Sequence, residues 1–191
     1  MNLPNKLTML RVLLIPVFVC ALFLPEWFGV SEDLAHWIAA AVFVLAGITD
    51  SLDGKIARKR GLVTDFGKFM DPIADKLLTC TAMILLCAFG TLHPVAAILF
   101  IGREFVISGF RLVAAKKGVV IAADTLGKWK TVLQIVFIVM LTLNPCTPFR
   151  FFAPYFNLLG QAVMLAALLL SILSAIQYIR RNKGVIDFHD C

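Results

Sequence analysis

Charge is scarce in this sequence: Asp, Glu, Lys and Arg make up 16% of its 191 residues, where soluble domains carry about 25%. Hydrophobic residues take 60%, and the mean hydropathy is +0.90. A water-soluble globule of this length cannot hide that much apolar surface, which excludes a soluble enzyme and a disordered chain. The cysteines lack a pattern. Cys20, Cys80, Cys87, Cys146 and Cys191 include no Cys-x-x-Cys pair, and three of them lie inside apolar runs, against a disulfide framework or a zinc site. No small-residue cleavage pattern follows the apolar run at 12–24, which continues Pro25-Glu26-Trp27-Phe28. Lys6 and Arg11 therefore open a retained first helix rather than a signal peptide. The apolar runs do not alternate with polar residues, which excludes a transmembrane β-barrel, and no internal repeat is present.

What remains is an all-α integral membrane protein of six transmembrane helices in a single domain, 1–191. The expected helices are 8–25, 34–57, 68–90, 94–115, 128–144 and 156–179, each near the roughly 20 residues a span requires. Pro25 with Glu26, Gly90 before Pro94, and Asn144-Pro145 with Pro148 and Pro154 supply the stops. Of 18 Lys and Arg residues, all but two fall on one side of this arrangement; Arg103 is mid-span and Arg150 lies opposite. Both termini are therefore expected in the cytoplasm. The formal charge of +6 then reflects topology and anionic membrane lipid, and no nucleic-acid partner is implied. His36, His93 and His189 are scattered at span ends and the tail and read as surface residues.

The informative segment is Asp50-Ser-Leu-Asp53-Gly54-Lys-Ile-Ala57-Arg58, then eight residues, then Gly67-Lys-Phe-Met-Asp71-Pro-Ile-Ala-Asp75. Carboxylates inside a span are costly and point to function. Asp50 and Asp53 share one face of the second helix, as Asp71 and Asp75 do on the third. Counted from the outer ends near Leu34 and Gly90, Asp50 lies level with Asp75 and Asp53 with Asp71, at roughly 22–28 Å depth. Four carboxylates at one level cannot all ionise unaided. Two hard divalent cations would neutralise them, and paired metals are a recurring clamp for displacement at phosphorus. Ion pairing with Lys55, Arg58, Lys68 and Lys76 would not require four acids at matched depth. Gly54, Ala57 and Gly67 serve either close helix packing or the approach of a flat ligand; their place beside the acids favours the ligand.

The order D-x2-D-G-x2-A-R-x8-G-x3-D-x3-D resembles the signature of the CDP-alcohol phosphatidyltransferase family at every position. The resemblance implies that Asp50, Asp53, Asp71 and Asp75 hold two Mg²⁺ or Mn²⁺ ions. It implies that Asp75 is also the base for the acceptor hydroxyl. Thr8, Asp50, Asp53, Gly54, Ala57, Arg58 and Gly67 would contact CDP-diacylglycerol, Thr8 within a weaker match to the family's lead-in, Pro4-Asn5-Lys-Leu-Thr8-Met-Leu-Arg11. A homodimer is a further family expectation.

The acceptor is read from the second half. Arg103 lies nine residues into its helix, about 14 Å deep, where a charge needs an anionic partner or a wet cavity. Glu104 and Arg111 share a face, and Lys128 and Lys130 open the fifth helix. Arg103, Arg111, Lys128 and Lys130 are the candidate ligands of an acceptor phosphate. Lys128 and Lys130 read equally well as interfacial anchors, and Lys116 and Lys117 better so. The segments 103–111 and 127–131 resemble the branch of the family that uses sn-glycerol 3-phosphate, with its site at the cytoplasmic side of the cell membrane. Sister enzymes using inositol phosphate, phosphatidylglycerol or serine are the alternative, although the basic cluster disfavours serine. A divalent-cation transporter would need polar groups through the outer half of the bilayer, and helices two and three are apolar there.

Overall fold

The computed structural model describes residues 3–60, 65–116, 125–146 and 152–182. Side-chain surroundings are described for 8–49, 73–74, 76–115, 126–146, 152 and 154–182. Six helices account for nearly all of these: α1 (Leu3–Phe28), α2 (Glu32–Arg60), α3 (Asp65–Ala88), α4 (Pro94–Lys116), α5 (Thr125–Leu143) and α6 (Ala153–Arg181). All six expected helices are present, most of them longer than the apolar runs alone indicate. Four stretches are long and apolar enough to cross a membrane, in α1, α2, α5 and α6. Charge separates the other two: α3 is apolar only over Lys76–Ala88, and α4 carries Arg103, Glu104 and Arg111.

Pro25 does not stop α1, which holds Pro16 and Pro25 within it. The chain turns at Gly29, whose φ of +65° suits a residue without a Cβ. The Gly29 N–H donates to the Pro25 carbonyl at 3.1 Å and closes the final turn. Gly90, at φ +71°, ends α3 in the same manner, and the Thr91 N–H reaches the Leu86 carbonyl at 2.9 Å.

Contacts at the helix ends fix the direction of each element. Where α1 ends, Phe23 meets Phe89, just past α3, at 5.9 Å between ring centres, and Phe89 meets His36 of α2 at 6.4 Å. At this same distal end the Cys146 thiol, just past α5, donates to the Asp33 carbonyl at 3.8 Å. Gln161, early in α6, donates to the Thr91 carbonyl at 2.8 Å. The helices therefore run alternately, with the start of α1 and the end of α6 at the opposite, proximal end.

α1 is the helix on which α2 and α3 chiefly pack, while α5 lies along α6 and α4 spans from α3 to α6. Small residues allow these approaches. Ala35, Ala39 and Ala46 form the buried stripe of α2 with Phe43, which meets Phe18 of α1 at 5.8 Å. On α6, Gly160, Met164, Ala167, Ser171, Ser174 and Tyr178 repeat at helical spacing and are all buried. A Cβ at Gly160 would stand 3.2 Å from Leu141 Cδ2. Gly160→Ala should be tolerated, whereas Gly160→Leu should cost about 1–3 kcal/mol by overpacking, seen as a lower melting temperature in detergent. Large apolar side chains instead cover the outside, among them Ile98, Leu112 and Leu158, each more than 60% exposed.

Burial, with the nearby Asp33 charge, pushes the Cys146 thiol up to about 11. Thiolate is the reactive form, so Cys146 should be alkylated at pH 8 on the order of a hundredfold more slowly in the folded protein than in the unfolded chain. Labelling should accelerate as pH approaches 11, measurable by mass spectrometry of the peptide containing it.

Candidate active site

Asp50 and Asp53 lie within α2, and Asp71 and Asp75 within α3. Both helices are continuous through these positions, so the spacings of three and four residues keep each pair on one helix face. The side-chain surroundings of Asp50, Asp53, Gly54, Ala57, Arg58, Gly67, Asp71 and Asp75 lie outside the described residues.

Contacts nearby fix the levels of these positions along the bundle. α1 and α2 are antiparallel and meet at Phe18 and Phe43. Seven residues toward the proximal end from each come Arg11 and Asp50; ten residues bring Thr8 and Asp53. α1 and α3 are parallel and meet at Phe23 and Phe89, which puts Thr8 level with Ala74. Asp50, Asp53 and Asp75 thus occupy about one turn along the axis, and Asp71 the next turn toward the proximal end. Thr8 and Arg11 are both buried, Arg11 to 1% exposure. In the sequence Arg11 reads as a topological charge and as the end of the family's lead-in, not as a buried residue; its place on the stripe with Thr8, Ile15 and Phe18 is the signal for its burial.

The basic residues divide. Arg103 belongs to the stripe of α4 formed with Phe100, Ile107, Phe110 and Ala114, which are buried, so its guanidinium turns into the bundle. Nη1 donates to Glu104 Oε1 at 3.1 Å, Nη2 to Ser174 Oγ at 2.8 Å, and Nε to the Ser171 carbonyl at 3.3 Å. Lys130 of α5 is 3% exposed, and its ammonium donates to the same Glu104 Oε1. The charge of Lys76 on α3 also acts on Glu104. Among the described residues, Glu104 is therefore one carboxylate set against three cations. Cations gathered in this way in a largely dry setting suit an anion such as a phosphate monoester, which carries about −1.5 to −2 near pH 7.

Arg111 and Lys128 lie apart from this cluster. The Arg111 guanidinium stands 5.4 Å from the centre of the Tyr178 ring, two turns from Arg103 toward the proximal end, and Lys128 is exposed. Buried Tyr178 also packs edge-on against Phe110 at 5.6 Å. Ser171, Ser174 and Tyr178 were illegible as site residues in a span that reads as generic apolar sequence; their helical spacing on one face is the only signal. A cavity of about 480 Å³ lies on the opposite face of α6, lined by Leu126, Leu173, Ile176, Gln177, Arg180 and Arg181, and is separate from the Arg103 cluster.

Gln134 of α5 contacts Met83 of α3, its Nε2 lying 3.9 Å from the sulfur. These helices are parallel, so Lys130, one turn back from Gln134, is level with Thr79, itself one turn from Asp75. The buried cations and the acidic turns therefore adjoin. The sequence profile of CDP-alcohol phosphatidyltransferases matches residues 1–173. The chain belongs to the CDP-alcohol phosphatidyltransferase family.

Within that family, a protein of Bacillus subtilis named CDP-diacylglycerol–glycerol-3-phosphate 3-phosphatidyltransferase is 40% identical over 188 residues, covering 95% of each chain. Proteins of the same name from Rickettsia bellii and Pseudomonas fluorescens are 38% and 39% identical. The first covers 95% of this chain and 96% of its own; the second covers 94% and 89%. The phosphatidyltransferase match thus extends through Arg103 and Lys130 and well beyond the acidic segment.

Proposed function

We propose that this protein transfers a phosphatidyl group from CDP-diacylglycerol to sn-glycerol 3-phosphate, giving phosphatidylglycerophosphate and CMP. The observation that carries the reading is the largely buried pair of cations, Arg103 and Lys130, gathered on Glu104 one turn along the bundle from the level of Asp75. An acceptor that is itself anionic has a use for those cations, which a neutral alcohol or a zwitterionic amino acid has not. The relatives named for this reaction support it across nearly the whole chain.

In this reading all six helices span the cell membrane with both termini in the cytoplasm, and the proximal end is the cytoplasmic face. A lipid-borne pyrophosphate and a soluble phosphate meet there, which accounts for acids at one end of the bundle. The chain forms one domain over 1–191, and a homodimer is carried over from the family. Asp50, Asp53, Asp71 and Asp75 make an all-oxygen donor set suited to hard divalent cations. They would hold two Mg²⁺ or Mn²⁺ ions, which supply charge neutralisation at the pyrophosphate when bound. Thr8, Gly54, Ala57, Arg58 and Gly67 border the CDP portion with Asp50 and Asp53. Lys130 and Arg103 hold the acceptor phosphate, Arg111 and Lys128 drawing it in from the cytoplasmic side. Asp75 takes the proton from the glycerol 1-hydroxyl, whose oxygen attacks the lipid-side phosphorus as the bond to the CMP oxygen breaks.

Product chromatography tests this. Purified protein would receive CDP-diacylglycerol, Mg²⁺ and, separately, sn-glycerol 3-phosphate, serine, inositol phosphate or phosphatidylglycerol. Phosphatidylglycerophosphate and CMP from glycerol 3-phosphate alone is the expected result. Product from serine would overturn the reading of Arg103 and Lys130 while keeping the acidic site, and product from inositol phosphate or phosphatidylglycerol would replace glycerol 3-phosphate as the acceptor. No product from any acceptor, in folded protein, would overturn the enzyme assignment.

A further inference from the structure

We propose that Ser174, together with the Ser171 carbonyl, positions the Arg103 guanidinium for the acceptor phosphate, so that α6 takes part in selecting phosphate-bearing acceptors. This rests on the assignment of Arg103 to the acceptor and adds the device that aims it.

Arginine has five N–H donors in a rigid planar fork. Three are engaged by the protein, with the Ser171 carbonyl, Ser174 Oγ and Glu104 Oε1. Two remain, one on each terminal nitrogen, and a pair of parallel N–H groups is the arrangement that binds a phosphate through two oxygens. Which two remain is decided by α6. The Ser174 hydroxyl donates to the Ser171 carbonyl at 3.0 Å, which turns its lone pairs toward Arg103. Both serines are buried, so bulk water has no ready access to replace the hydroxyl. Glu104 alone would hold the guanidinium at a single nitrogen and leave it to pivot. Ser174 supplies a second point from a different helix, fixing the plane of the fork.

Ser174→Ala tests this because alanine suits the close packing of α6 as well as serine does. The expected result is a KM for glycerol 3-phosphate raised by roughly tenfold. The KM for CDP-diacylglycerol and the melting temperature should be unchanged, and the change in kcat smaller. Competitive inhibition by inorganic phosphate should weaken in parallel. Ser174→Thr keeps the oxygen and should restore the parent KM. Ser174→Cys, close in volume but a weaker acceptor, should show the same shift as alanine and serves if the alanine variant does not accumulate. In an Arg103→Lys background, which already lacks the fork, Ser174→Ala should add less than about twofold. An unchanged acceptor KM in Ser174→Ala, with a raised one in Arg103→Lys, would overturn the positioning role and leave the acceptor site standing. If Arg103→Lys instead raises only the KM for CDP-diacylglycerol, the acceptor assignment itself fails. A fall in melting temperature with both KM values raised would reduce Ser174 to a packing residue and overturn the proposal.

Discussion

Asp75→Asn is expected to lose phosphatidyl transfer by at least about 100- to 10,000-fold, the range attributable to a positioned general base. Helical content and melting temperature should stay close to those of the parent. Asparagine has nearly the shape of aspartate, and position 75 lies within an unbroken α3, so neither volume nor helix continuity is at stake. An amide nitrogen cannot accept the proton, and the amide oxygen is a poorer ligand for a divalent cation, so both assigned roles fail together. CMP release from CDP-diacylglycerol, followed with saturating glycerol 3-phosphate, reads the loss directly. Near-normal turnover in Asp75→Asn would remove Asp75 from the mechanism and leave proton abstraction to another group.

Glu104→Gln should produce a large loss of stability. Its carboxylate accepts from both Arg103 and Lys130, and all three side chains are at most 14% exposed. Neutralising Glu104 removes the carboxylate that Arg103 and Lys130 share, and breaking a buried ion pair costs about 3–5 kcal/mol. For a chain of this size that corresponds to a fall in melting temperature of roughly 10 °C. Glycerol 3-phosphate should then raise the melting temperature of the variant by more than it raises that of the parent, since the ligand supplies the missing negative charge. An unchanged melting temperature would mean that Lys130 finds water once Glu104 is neutral, and that the cluster is less enclosed than its burial indicates.

Much of this was visible in the residues themselves. The six helices follow from the apolar runs and their breaks, four of them long and apolar enough to cross a membrane, and the acids follow from spacings that only a helix brings onto one face. Arg103 was legible as a buried charge because its depth is simple arithmetic along α4. The partners of Arg103 were not legible. Ser174 lies 71 residues further on, and a serine in an apolar span is indistinguishable by composition from one that bonds only its own helix, as Thr142 does with the Ile138 carbonyl. Nor does local sequence reveal that α2 and α3, adjacent in the chain, pack chiefly on α1. That arrangement comes from the fit of Phe18 against Phe43 and of Phe23 against Phe89, which no periodicity encodes. Pro25 misled for a related reason. Proline removes a donor from the helix, but the chain did not need to turn until Gly29 supplied the left-handed residue.

The aromatic contacts at mid-bundle have a consequence for the cell as a whole. Phe18 on Phe43, and Phe100 on Phe137 at 5.3 Å, are buried beyond the acids and beyond Arg103 on the distal side. In the membrane arrangement proposed above, polar substrates and water enter from one side, and a wet path through to the other surface would short-circuit the ion gradient across the membrane. The tilted phenylalanine pairs would stopper that path. In that arrangement the protein would hydrate its chemistry from one side while remaining, electrically, part of the insulator.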